Sequence, residues 1–74
     1  MNKLMQALER CRERDNLSLL ALSKRLRVSD AYLTMARNGN RKVGLPILRG
    51  IAREYPELCF DILEYLRDGH EDDA

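Results

Sequence analysis

Two serines eleven residues apart, Ser18 and Ser29, constrain this chain more than any other feature. Each hydroxyl can accept a hydrogen bond from an orphan amide at a helix start. Each serine also follows an apolar residue placed to pack on the fourth position of the coming helix, Leu17 on Leu22 and Val28 on Leu33. Between the caps there is room for one short helix and a tight turn. The pattern predicts a helix over Leu19–Leu26, a turn through Arg27 and Val28 to the cap Ser29, and a further helix over Asp30–Arg37. Asp30 sits favourably in the first turn against the helix dipole. Asn38-Gly39 ends that helix, glycine tolerating the left-handed conformation. Leu22, Leu26, Val28, Leu33 and Ala36 are the expected contacts holding the pair at an open angle, and Ser23 is small enough to allow a close approach.

The rest of the chain is periodic in the helical sense, with no alternating run of strand type, so the expected class is all-α. Leu4, Leu8 and Cys11 share one face of a first helix, Lys3–Arg14, which Asp15-Asn16 stops. Pro46 suits the first turn of a fourth helix that carries Ile47, Leu48, Ile51, Ala52 and Tyr55. Pro56 suits the first turn of a fifth, running to about Arg67. Five helices in one domain over residues 1–68 are expected, followed by a disordered acidic tail over residues 69–74.

Several function classes are disfavoured. Apolar runs such as Leu19–Leu22 fall far short of the roughly 20 residues that span a bilayer. Gln6, Glu9 and Arg10 interrupt the N-terminus before a secretory apolar stretch develops, so a cytoplasmic location and no membrane partner are expected. Cys11 and Cys59 lack CxxC spacing or a histidine partner and read as buried free thiols, with no metal site and no cofactor. The single histidine, His70, lies in the tail, and no nucleophile, paired-carboxylate or phosphate-loop signature occurs; catalytic residues and a small-molecule ligand are not expected.

Charge is distributed unevenly. Residues 1–53 hold twelve basic and four acidic side chains, a net +8, whereas residues 54–74 hold one basic and eight acidic, a net −7. A basic body with an acidic end suits a polyanion on one side.

The stretch Leu17-Ser18-Leu19-Leu20-Ala21-Leu22-Ser23-Lys24-Arg25-Leu26-Arg27-Val28-Ser29-Asp30-Ala31-Tyr32-Leu33, continued by Thr34-Met35-Ala36-Arg37-Asn38-Gly39, resembles the lambda-repressor-like (Cro/C1, Xre) helix-turn-helix family. The resemblance covers about residues 4 to 55. It implies a five-helix fold and a transcriptional regulator of phage or prophage type, a repressor that binds double-stranded DNA operators as a dimer. Leu19 stands where many members carry a phosphate-touching glutamine, and Arg27 where glycine is common in the turn. A left-handed backbone at Arg27 would cost about 1 kcal/mol.

At roughly 100° per residue, Leu33 and Ala36 point inward on the helix from Asp30. The base-facing candidates are then Asp30, Ala31, Thr34 and Met35, with Tyr32 at one flank, where it either touches DNA or packs on the preceding helix. Ser18, Arg27, Arg37, Asn38, Arg41 and Lys42 are the phosphate candidates. On the fifth helix, Cys59, Ile62, Leu63 and Leu66 form the expected inward face. Leu58, Phe60 and Tyr65 are left for a homodimer contact, which would set two recognition helices about 34 Å apart on a pseudo-palindromic operator. The alternative is an antitoxin-like or antirepressor-like protein-binding module that uses the fifth helix and the acidic end.

Overall fold

Residues 1–68 are described by the computed structural model. They form α1 (Lys3–Arg14), α2 (Leu19–Leu26), α3 (Asp30–Arg37), α4 (Leu45–Glu54) and α5 (Cys59–Arg67), with a 3-10 turn, Pro56–Leu58, leading into α5. Among the described residues there is no strand, and no helix is long and apolar enough to cross a membrane. Residues 69–74, read from sequence as a disordered tail, lie outside the described residues.

Polar caps start the first three helices. Asn2 Oδ1 accepts from the Met5 N–H (2.8 Å), Ser18 Oγ from the Ala21 N–H (3.0 Å) and Ser29 Oγ from the Tyr32 N–H (3.1 Å). Each such cap contributes about 1 kcal/mol. α4 has no side-chain cap; Gly44 precedes it and Pro46 lies in its first turn, where no intrahelical N–H bond is lost.

The same three helices end alike. A left-handed residue follows each one: Asn16 (φ 56°), Arg27 (φ 62°) and Gly39 (φ 84°). The next amide then reaches back across the turn, Leu17 N–H to the Arg12 carbonyl (3.0 Å), Val28 N–H to Ser23 (3.0 Å) and Asn40 N–H to Met35 (2.8 Å). This Schellman arrangement satisfies carbonyls that the helix leaves orphaned. Only Gly39 adopts it without steric penalty.

The core is built by α2 packing on both α3 and α4 and by α1 packing on α5. Leu4, Leu22, Leu26, Leu33, Ile47 and Ile51 are essentially inaccessible, and α1 buries Met5 and Ala7 beside the expected Leu4, Leu8 and Cys11. α4 approaches α2 closely at Gly50, where a Cβ would lie 2.7 Å from the Leu26 carbonyl oxygen. Ser23 is buried with its hydroxyl donating to the Leu20 carbonyl (2.6 Å), which leaves no unsatisfied polar atom there. Tyr55 is also buried, and its hydroxyl joins Arg25 (3.2 Å) to Asp15 (3.4 Å).

The expected orientation of α5 needs correction. Leu58 and Tyr65, assigned from sequence to an interface with a second copy, are each only 8% exposed and belong to the core, with Ile62 packed beside them. Cys59, Leu63 and Leu66, assigned inward, face solvent together with Phe60. The helix is thus turned by about 90° from the expected setting. The cause is that Leu58, Ile62 and Tyr65 form a stripe of helical spacing as good as the one through Cys59, and the tyrosine hydroxyl finds a buried partner, the Val43 N–H at 3.3 Å. Pro56 opens the 3-10 turn rather than α5 itself. Of the two thiols only Cys11 is buried, and burial pushes its pKa up.

Candidate nucleic-acid interface

α3 buries Leu33 and Ala36 and leaves Ala31 and Asn38 exposed on the opposite side. Asp30 is exposed in the first turn, and Thr34 and Met35 are half-buried beside the exposed pair. Four of the five base-facing candidates, Asp30, Ala31, Thr34 and Met35, therefore keep accessible surface on one side of a two-turn helix. A hydroxyl, a thioether, a methyl and a carboxylate are side chains that can meet base edges: donor or acceptor, apolar contact with a thymine methyl, and acceptance from a cytosine amino group.

Tyr32 is half-buried and packed against the core, and it has a partner the sequence did not suggest: its hydroxyl accepts from the Gly44 N–H at 3.0 Å. The Arg41 guanidinium lies over its ring, 4.8 Å from the centroid. Tyr32 thereby ties α3 to the loop that follows it.

The phosphate candidates divide into two groups. Arg37 is withdrawn from the set, because its guanidinium pairs with Glu9 of α1 (3.1 and 3.4 Å) and is half-buried there. Glu9 also binds Arg12, and the two guanidiniums, Arg12 foremost, hold the Glu9 carboxyl down at about 2. Arg27, Lys42 and Asn38 are exposed, and neither Arg27 nor Lys42 has an ionic partner among the described residues. Arg41 is exposed and, among the described residues, is engaged through the Tyr32 ring and through its own amide, which donates to the Met35 carbonyl (3.2 Å). Ser18 is exposed at the start of α2, its hydroxyl oxygen already accepting a cap bond and its hydrogen free to donate.

Arg12, Arg14, Arg25, Arg53 and Arg67 each meet a carboxylate of the chain. Among the described residues, Lys3 and Arg10 of α1 and Arg49 of α4 are exposed without an ion pair, as are Arg27, Arg41, Lys42 and, passed over by sequence reasoning, Lys24. Its signal was present in the sequence, one helical turn before Arg27 with no acidic residue at helical spacing. Sequence reasoning also missed the role of Glu9, although Glu9 and Arg12 have the three-residue spacing of a helical ion pair.

Compared with protein families, curated proteins and solved structures, the chain shows no match.

Two further surfaces complete the inventory. Phe60 is 69% exposed, Leu63 63% and Leu66 55%, and with Cys59 they make an apolar stripe along α5. Of the three residues proposed from sequence for a second copy, only Phe60 belongs to it. An open cleft of about 140 Å³ lies between this helix and the loop, lined by Lys42, Val43, Gly44, Tyr65 and Leu66. Among the described residues, no three His, Cys, Asp or Glu side chains converge in a way that could hold a metal ion.

Proposed function

We propose that this protein is a sequence-specific double-stranded DNA-binding regulator of helix-turn-helix type, acting as a repressor by occupying promoter DNA. α2 and α3 are the paired helices, and α3 enters the major groove. The observation that carries this reading is the coincidence at α3: among the described residues nothing walls off an outward side lined by Asp30, Ala31, Thr34, Met35 and Asn38, and the segments before and after the helix carry Arg27 and Lys42, both without an ion pair among those residues, and exposed Arg41. Base-reading side chains set between phosphate-holding cations are what direct readout requires. Ser18 and Asn38 add polar donors at the start of α2 and the end of α3.

The apolar stripe on α5 supports pairing with a second copy, which would present two α3 helices to a pseudo-palindromic operator. The same stripe, with Asp61 and Glu64 on its helix, is also the observation that favours the second reading, an interaction module whose partner is another protein. Selection of bound duplexes from a random pool separates the two. The DNA reading predicts an enriched motif that changes when Thr34 or Met35 is replaced, whereas Arg41→Ala weakens all sequences alike. Recovery of no motif together with no duplex retention at about 50 mM salt favours the protein-binding module.

A further inference from the structure

Two consecutive amides of the loop between α3 and α4 are held by tyrosine hydroxyls from different helices. The Val43 N–H donates to Tyr65 of α5 and the Gly44 N–H to Tyr32 of α3. At its other end the loop is fastened to α3 by the Asn40 and Arg41 amides, both donating to the Met35 carbonyl. Arg41 belongs to the anchorage on Met35, and Lys42 lies between the two. Arg41 is restrained further, its guanidinium resting over the Tyr32 ring at 4.8 Å from the centroid.

We infer that Tyr32 is a positioning residue for DNA binding: its ring aims the Arg41 guanidinium. This inference rests on the DNA reading above. A long cation in an unrestrained loop must be ordered when it meets a phosphate, whereas one stacked on a ring of the recognition helix is ordered beforehand. The planar guanidinium keeps its edge donors available while its face lies on the ring, so stacking and phosphate contact are compatible. Gly44 is matched to this arrangement, since a Cβ there would lie 2.6 Å from the Tyr32 hydroxyl oxygen. Tyr32 acts through Arg41, which places it apart from the base-contacting side chains.

The test is the salt dependence of duplex binding for the wild type, Tyr32→Leu, Arg41→Ala and the double variant, on one duplex by fluorescence anisotropy. Loss of one phosphate contact lowers the magnitude of the slope of log affinity against log salt by about 0.9. Tyr32→Leu is expected to lower it by as much as Arg41→Ala does, with no further loss in the double variant. Tyr32→Phe, which keeps the ring, is expected to retain the wild-type slope. A wild-type slope in Tyr32→Leu, or additive losses in the double variant, overturns the assignment while leaving the DNA reading standing. A wild-type protein that binds no duplex overturns both. Should Tyr32→Leu fail to fold, the wild type still decides: the Arg41 side-chain protons are expected to show an upfield ring-current shift by NMR, and random-coil values there overturn the stack.

Discussion

Arg27 offers a substitution in which stability and binding should move in opposite directions. Its backbone is left-handed, φ 62° and ψ 43°, at the position that closes α2, and its guanidinium has no ionic partner among the described residues. A side chain in that conformation costs about 1–2 kcal/mol, which glycine avoids. Glycine in turn gives the unfolded chain more freedom, worth about 0.5–1 kcal/mol against folding. Arg27→Gly should therefore stabilise the fold by about 0.5–1 kcal/mol, a rise of roughly 2–8 °C in melting temperature for a domain of this size. The turn itself survives, because its bonds from Arg27 to Lys24 and from Val28 to Ser23 are made by backbone. In the proposed complex, removing the charge would take away one phosphate contact, so the salt slope for duplex binding should fall in magnitude by about 0.9. Thermal unfolding by circular dichroism and anisotropy titrations at several salt concentrations measure the two effects on the same sample. A lower melting temperature would refute the strain argument. A higher one with an unchanged slope would refute the role of Arg27 at the interface.

Glu9→Gln tests the clamp on Arg12 and Arg37. With the Glu9 pKa lowered from 4.5 to about 2, its contribution is present above the unfolded value and is lost as pH falls toward the folded one. For a side chain 17% exposed this amounts to about 2–3 kcal/mol, so urea melts should show wild-type stability falling between about pH 5 and 2 and a flatter profile in the variant; parallel profiles would count against the clamp. Gly50→Ala should lose about 1 kcal/mol in the same melts, since an overpacking cost of about 2 kcal/mol against the Leu26 backbone outweighs the roughly 1 kcal/mol gain in helix propensity; an unchanged midpoint would mean that α4 moves freely away from α2. Leu58→Ala should cost about 2–4 kcal/mol, as buried leucines do, whereas Phe60→Glu should fold normally and sediment as a monomer with weakened duplex affinity. The reverse outcome would restore the orientation of α5 expected from sequence.

The helices near the candidate site were legible because their ends are written in local chemistry. Ser18 and Ser29 cap α2 and α3 as their spacing predicts, and the ranges Lys3–Arg14, Leu19–Leu26 and Asp30–Arg37 agree with the structure. The facing of α3 was legible for the same reason: a short helix with only Leu33 and Ala36 suited to burial has little choice of orientation. α5 was ambiguous because its apolar residues surround most of the helix, and the deciding factor, a buried amide for the Tyr65 hydroxyl, comes from Val43, which is 22 residues away in sequence. The partners of Arg37 and Tyr32 were hidden similarly. Each sits at the flank of α3, where a partner distant in sequence, Glu9 or Gly44, captures a side chain that helical geometry alone leaves available.

The central claim, that α3 lies on duplex DNA between phosphate-holding cations, is tested most directly by the slope of log affinity against log salt for the wild-type chain. In the proposed complex Arg27, Arg41 and Lys42 would supply three contacts per copy, which predicts a slope of about −3 for one copy and about −5 for a pair on a two-fold site. A slope near zero, or no duplex binding at about 50 mM salt, would contradict the account.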